Sequence, residues 1–504
     1  MRKNNYYISS FVWSTLQKIL NAILGFISVP LLLGYYGKTE YGILAIATAC
    51  NGYMHLLDLG MNTGAIRFFS QWKAEGKQGL IYRVARTNIT FYILIACVNI
   101  VGLIALAVWG ERIFSVTHEQ FLQLRMCLFI IALFSIFSWA ATTFNQLLVA
   151  DKQMAYTMQV QCVQTILKTL LIFVVLWANL SLTVYFFWLT AILALLLIPY
   201  AIKCLRDRLI DSLKPAFYWK EFKIVLTFSL SIFALSLFQM TATQSRPIIL
   251  SIFSVNGAET VSEYRIIEVI PQLIIMIGGT FSSIFLPKTS ELVAQKDSQA
   301  IQDFAYKWTL RTSILTNLLC VPFIFSATEV LSAYVGTEYV GLSQWMIIWC
   351  ITVLIQIHTT PGNALILAYG QTRLLVITSA GACLLSMIIN AMLCLYFGVG
   401  SAVIGYFIYV LIMIVSYYAI YYKKLIGLNR IKMFRSFFIP TIISIGTLFV
   451  VQFIPTEHFS FTFMPLRLHY IILCIIKTLL WLIPYIILLL IFRIIDLKSI
   501  RYSL

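Results

Sequence analysis

Charge is what this 504-residue sequence has least of: Asp, Glu, Lys and Arg together make up 11%, against roughly 25% in a soluble domain. Set beside 61% hydrophobic residues, that shortage excludes a water-soluble globule, whose core cannot absorb so much apolar surface. Polar loops long enough to form a separate catalytic domain are missing too. So are a GxxxxGK[ST] phosphate loop, a GxSxG elbow, an HExxH zinc helix and an intramembrane Asp-Asp pair, which leaves ATP hydrolysis and hydrolase chemistry without residue support. The strands of about ten alternating residues that build a membrane barrel do not occur. The cysteines show no CxxC or Cys/His spacing. Cys50, Cys97, Cys127, Cys162, Cys320, Cys350, Cys383, Cys394 and Cys474 fall inside apolar runs and Cys204 at the end of one, so they read as small hydrophobes, not disulfides or metal ligands. No enzyme, no metal and no cofactor is expected.

What is abundant is uninterrupted apolar sequence. Residues 185–202, 374–397 and 471–492 each approach or exceed the roughly 20 residues that carry a helix across about 30 Å of hydrocarbon. Apolar runs, charge clusters and Gly/Pro breaks predict spans at 9–34, 41–66, 88–109, 122–149, 155–177, 181–202, 223–252, 262–285, 308–327, 343–368, 373–397, 399–421, 436–453 and 468–492. The expected fold is therefore all-α and integral to the membrane, with about fourteen transmembrane helices. Met1-Arg2-Lys3 before an apolar stretch mimics a signal peptide, but Lys18 and Asn21 interrupt the stretch and no small-x-small cleavage site follows. It is taken as the first membrane helix.

Lys and Arg set the orientation. Arg67, Lys73, Lys77, Arg83, Arg86, Lys152, Lys203, Lys214, Lys220, Lys223 and most others fall on one side, leaving Lys38, Arg112, Arg125 and Arg467 on the other. Both termini are thus expected in the cytoplasm. The net charge of +17 is explained by this bias meeting anionic lipid, without nucleic acid.

The chain also repeats itself. Asn145-Gln-Leu-Leu-Val-Ala-Asp-Lys-Gln153, ending span 4, recurs as Asn363-Ala-Leu-Ile-Leu-Ala-Tyr-Gly-Gln371 at the end of span 10, and Pro30-Leu-Leu-Leu33 recurs as Pro247-Ile-Ile-Leu250. Two six-helix repeats of the same orientation follow, related by an axis along the membrane normal. The predicted organisation is an N-terminal bundle at 1–206, a cytoplasmic linker at 207–222, a C-terminal bundle at 223–424, and two additional helices with a tail at 425–504.

Polar residues at membrane depth carry the functional signal, because a charge there costs roughly 2.5–3.5 kcal/mol on insertion scales and normally faces a bundle interior or a wet cavity. Span 1 aligns Ser14, Lys18, Asn21, Gly25 and Ser28 on one helix face, and the repeat carries the last four onto Ser236, Gln239, Thr243 and Arg246 of span 7. Thr48, Asn51, His55, Asp58 and Asn62 form a stripe on span 2, matched in span 8 by Arg265, Glu268 and Gln272. Span 5 adds Gln161, Gln164 and Lys168. These stripes predict a hydrated central cavity lined by spans 1, 2, 7 and 8. Each charge also has a plainer reading. Arg265 and Glu268 stand three residues apart and can simply neutralise each other; His55 with Asp58 is either a structural pair or a protonation site; Lys168 can snorkel; Lys477 in span 14 can snorkel or take a local partner.

The fourteen helices, the paired intramembrane cations, and the segment 32–67 with Gly37-x-x-x-Tyr41-Gly42, Asp58-Leu-Gly60-Met and the basic loop after Gly60-Met-Asn-Thr-Gly-Ala-Ile-Arg67 resemble the Wzx-type polysaccharide flippases. These belong to the multidrug/oligosaccharidyl-lipid/polysaccharide exporter superfamily. The resemblance implies a bacterial inner-membrane flippase that moves an undecaprenyl-diphosphate-linked oligosaccharide, a unit of O-antigen, capsule or exopolysaccharide, to the outer leaflet by alternating access. Lys18, Lys168, Arg246 and Arg265 would meet the diphosphate, and Asn21, Asn51, Asn62, Gln239 and Thr243 the sugar hydroxyls. Na⁺ or H⁺ coupling through Asp58, Glu268 or His55 is permitted but not demanded. Expected partners are the lipid-linked glycan, the bilayer and a downstream glycan polymerase, with the chain acting as a monomer. The rivals are a MATE-like cation exporter, whose site should be acidic and aromatic, and a membrane glycosyltransferase or polymerase.

Overall fold

The structure is a computed structural model that describes residues 2–370, 372–454, 465–492 and 494. It is built from helices: α1 (Arg2–Met54), α2 (Met61–Ala74), α3 (Gln78–Trp109), α4 (His118–Ala150), α5 (Met154–Ala178), α6 (Leu182–Ala194), α7 (Leu197–Arg206), α8 (Trp219–Phe253) and α9 (Gly257–Gln295). There follow α10 (Ser298–Phe325), α11 (Ala327–Tyr334), α12 (Ser343–Ile357), α13 (Thr360–Ala368), α14 (Thr372–Phe397), α15 (Val399–Ser416), a π-helical run (Tyr417–Leu425), α16 (Arg430–Val451) and α17 (Leu466–Ile491). Among the described residues 11 segments are long and apolar enough to cross a bilayer. One of them, Val12–Asp58, is bent at Gly37, where φ 77 and ψ 172 leave the helical region, so it holds spans 1 and 2. The 35-residue α8 and 39-residue α9 occupy spans 7 and 8. Large apolar side chains such as Val101, Trp177, Leu384 and Met392 point outward, as a lipid-facing surface requires.

The backbone carries the same period as the sequence. Left-handed residues end helices at Gly76, Lys152, Asn179 and Arg208, and again at Lys296, Gly370, Gly398 and Gly427. The offsets, 220, 218, 219 and 219 residues, are those numbers subtracted pairwise. The helix terminators of the first repeat thus recur in the second, at the period that Asn145–Gln153 and Asn363–Gln371 revealed.

Packing divides the chain into two units, Met1–Glu263 and Tyr264–Leu504, with the boundary inside α9. This boundary differs from that of the sequence repeat because α8 packs against α1, α2 and α3. Glycines of the 32–67 segment allow close approach by the start of α9 and by α8. A Cβ on Gly42 would fall 1.8 Å from the Ala258 carbonyl oxygen, and one on Gly64 2.0 Å from the Ser229 hydroxyl. The first unit's core gathers Phe69, Trp72, Tyr92, Trp139, Tyr200, Cys204 and Phe222 from α2, α3, α4, α7 and α8. In the second unit Tyr264 packs on Trp349, which meets Tyr406.

Three predicted spans are not continuous helices. Span 2 breaks into a single 3-10 turn at His55–Asp58 followed by Leu59 and Gly60, both left-handed, before α2 begins. Span 6 is offset at Leu195–Leu196, and span 10 at His358–Thr359 ahead of Pro361, which cannot donate a helical hydrogen bond.

Candidate functional site

The break in span 2 sets up the most developed polar site of the first unit. With the helix interrupted at Leu59 and Gly60, the N–H groups that open α2 have no partner in a preceding turn, and the Asn62 N–H donates to Asp58 Oδ2 at 3.1 Å. Tyr92 of α3 donates its hydroxyl to Asp58 Oδ1 at 2.6 Å. Gln146 of α4 in turn donates to Tyr92 Oη at 2.7 Å, and Asn88 donates to Gln146 Oε1 at 2.5 Å. A chain of hydrogen bonds therefore runs from a fully buried Asn88 to the carboxylate. Hydrogen bonds to a charged acceptor are worth about 1.5–3 kcal/mol each, enough for two donors to offset the insertion cost of one carboxylate.

On its other side Asp58 faces a cavity of about 350 Å³, shared with His55, Asn62, Thr142, Asn145, Gln161 and Tyr200. Trp139 closes the wall, its ring 5.3 Å from His55 and stacked on Tyr92 at 5.8 Å. No cluster of three or more His, Cys, Asp or Glu exists among the described residues, so a cation held here would meet one carboxylate and neutral oxygens. Such a donor set suits a proton or an alkali ion better than zinc. The expected stripe of Thr48, Asn51, His55, Asp58 and Asn62 is thereby corrected: its last three members surround a cavity instead of sharing one helix face. Asn51 is half-buried, and Thr48 turns back to the Leu44 and Ala45 carbonyls.

A second set of polar residues lies between α1 and α5. Thr165 donates to Asn21 Oδ1 at 2.9 Å, and Tyr36 donates to the Leu180 carbonyl at 3.1 Å, both across 144 residues. This common offset aligns the two helices in parallel, so Lys168 stands level with Leu24. At 1.5 Å per residue it lies about 9 Å further along the axis than Lys18. Lys18 is exposed and Lys168 half-buried, and neither makes an ion pair among the described residues. Gln239 and Thr243 are exposed on α8, Thr243 bonding back to its own helix. Arg246 is 5% exposed, with Nε on the Ala242 carbonyl at 2.8 Å; it is packed in protein.

The second unit treats its charges differently. Arg265 Nη1 pairs with Glu268 Oε2 at 2.7 Å, and Tyr264 donates to Glu268 Oε1 at 3.1 Å. Lys477 of α17 pairs with Glu329 of α11 at 2.6 Å. Sequence reasoning missed Tyr92, Gln146, Trp139 and Glu329. Gln146 lies in the repeated Asn145–Gln153 motif, the one available signal.

Solved structures share this architecture. Lipid II flippase MurJ in an inward closed conformation matches with TM-score 0.68 at 14% identity, over 96% of this chain and 99% of its own. An inward-facing multidrug resistance MATE transporter of the MOP superfamily matches with TM-score 0.62 at 14% identity, over 86% and 95%. A MOP superfamily transporter from Pyrococcus furiosus, described by a reversed polarity of its binding pocket, matches with TM-score 0.52 at 14% identity, over 88% and 94%. No curated protein matches the sequence significantly.

The fold is that of the MOP superfamily transporters, and the chain is a multi-pass membrane protein. More narrowly, residues 8–293 match the model of the polysaccharide biosynthesis protein family, over more than half of the chain, and the chain belongs to that family.

Proposed function

We propose that this protein is a flippase that carries a polyprenyl-diphosphate-linked oligosaccharide from the cytoplasmic to the outer leaflet of a bacterial inner membrane, with both termini in the cytoplasm. The observation that carries the reading is the difference among the intramembrane cations. Arg265 and Lys477 are neutralised by Glu268 and Glu329, whereas Lys18 and Lys168 stand at two depths along α1 and α5 without a carboxylate partner among the described residues. Two cations staggered by about 9 Å along a helix pair suit a diphosphate that passes from one to the other. Asn21, bonded between them to Thr165, and Gln239 and Thr243 on α8 offer groups for sugar hydroxyls. The polysaccharide biosynthesis family and the flippase fold support the same substrate class.

Moving about two negative charges outward across an inside-negative potential releases roughly 4–5 kcal/mol per 100 mV. The membrane potential alone drives the step. The Asp58 cavity adds a means of coupling to H⁺ or Na⁺, since loading it neutralises the one carboxylate between His55 and Tyr92.

That same cavity, acidic and walled by Trp139 and Tyr200, also favours a second reading, export of an organic cation. Purified full-length protein in proteoliposomes separates the two. The flippase reading expects translocation of a fluorescent polyprenyl-diphosphate glycan, accelerated by an inside-negative potential. Efflux of organic cations without glycan translocation would replace it with the second, and lengthening of the glycan would replace both with a polymerase.

A further inference from the structure

A groove outside the sites above opens where α2 and α8 part. The two helices touch at Gly64 and Ser229 and diverge beyond them into a cavity of about 490 Å³ lined by Phe68, Lys220, Lys223, Ile224, Thr227 and Phe228. Its floor is apolar: Phe68 and Phe228 meet edge to face at 5.6 Å. Its rim is cationic. Lys220 and Lys223 stand exposed at the start of α8, and the Arg67 guanidinium lies over the Phe228 ring at 4.0 Å. None of the three makes an ion pair among the described residues, and the nearby Glu221 is taken by Arg83 at 3.0 Å. The depth of the groove is marked independently. Phe217 and Trp219, 66% and 47% exposed, stack at 5.8 Å just before the rim, the pattern of aromatic side chains at a bilayer interface.

We infer that this groove binds one anionic phospholipid of the leaflet facing the basic loops, its phosphate among Arg67, Lys220 and Lys223 and an acyl chain over Phe68, Ile224 and Phe228. A zwitterionic lipid fills the apolar floor equally well but leaves three cations without a net countercharge, and a soluble phosphate leaves the floor wet. The groove therefore selects for the combination of net negative headgroup and chain. Because it is built from α2 and α8 beside the Gly60 and Gly64 contacts, an occupied groove braces the helix that follows the Asp58 break.

The test is photolabelling of the full-length protein in mixed micelles with diazirine-bearing phosphatidylglycerol or phosphatidylcholine, read by mass spectrometry of the labelled peptides. Phosphatidylglycerol is expected to label the Phe68 and Ile224–Phe228 peptides preferentially. Each of Lys220→Gln and Lys223→Gln should lower that labelling about fivefold while leaving the phosphatidylcholine signal unchanged, which also reports an intact fold. Lys152→Gln, in another basic loop, should keep the full preference. Equal labelling by both lipids, an undiminished signal in the Lys220→Gln/Lys223→Gln double variant, an equal loss in Lys152→Gln, or displacement by inorganic diphosphate would each overturn the assignment.

Discussion

Span 2 and its repeat counterpart, span 8, place a carboxylate in the membrane in opposite ways. In the first repeat the helix stops, and Asp58 sits at the break on neutral donors, the Tyr92 hydroxyl and the Asn62 N–H, with a cavity at its side. In the second, α9 runs unbroken for 39 residues and Glu268 is neutralised by Arg265 one turn away. A paired carboxylate is a fixed structural charge. One held by neutral donors beside a cavity can accept or release a cation without breaking an ion pair. The duplication supplied two similar helices, and only the second closes its carboxylate in an ion pair among the described residues.

The largest effect that would break this contrast lies in the second repeat. Glu268→Ala should destabilise the protein by about 1.5–3 kcal/mol, the loss of a half-buried charge-assisted hydrogen bond, whereas Arg265→Leu with Glu268→Leu should be nearly neutral. Thermal unfolding in detergent reads both, and a mild Glu268→Ala would mean that the pair is solvated. Next comes Asp58→Asn, which should leave the protein folded yet reduce the acceleration of glycan translocation by an ion gradient by up to about 150-fold, the ceiling for a coupling of 1–3 kcal/mol. Full gradient dependence in that variant would remove Asp58 from the mechanism. Gly60→Ala sharpens the role of the break itself. The residue is left-handed at φ 73, and a Cβ would fall 2.6 Å from the Ser229 carbonyl oxygen, so a loss of at least about 1–2 kcal/mol is expected; an unchanged midpoint would show that α2 can reposition freely.

The smallest expected effect is at the loop end of α7. Gln153 and Lys203 hold the Asp207 carboxylate below its ordinary range, the Gln153 hydrogen bond first. A lowered folded-state value stabilises above the unfolded carboxylate's range of about pH 4. That contribution fades as pH falls through the depressed value. Asp207→Asn should therefore lower the neutral plateau slightly, leave stability below the depressed value unchanged, and so flatten the acid limb of a stability profile.

The lengths of apolar sequence made the membrane helices legible, and the repeat was visible because Asn145–Gln153 and Asn363–Gln371 end equivalent helices with a left-handed residue. Arg265 and Glu268 were also legible, since their spacing puts them on one face of an ordinary helix. The Asp58 site was only half visible. Thr48, Asn51, His55, Asp58 and Asn62 fit a helical period well enough to conceal the turn that interrupts it, and Gly60 was the one residue that could have flagged the break. Tyr92 looked like any aromatic in an apolar run, because nothing local to it reveals a carboxylate 34 residues earlier. Glu329 was invisible as the partner of Lys477 for the same reason, with 148 residues between them.

Translocation of a fluorescent polyprenyl-diphosphate glycan by proteoliposomes carrying Lys18→Ala with Lys168→Ala isolates the part the two staggered cations play. Removing both staggered cations should slow the wild-type rate by about a hundredfold, at roughly 1.4 kcal/mol for each lost phosphate contact, with the amount of folded protein in the membrane unchanged. A double variant that flips the lipid at the full rate would contradict the account.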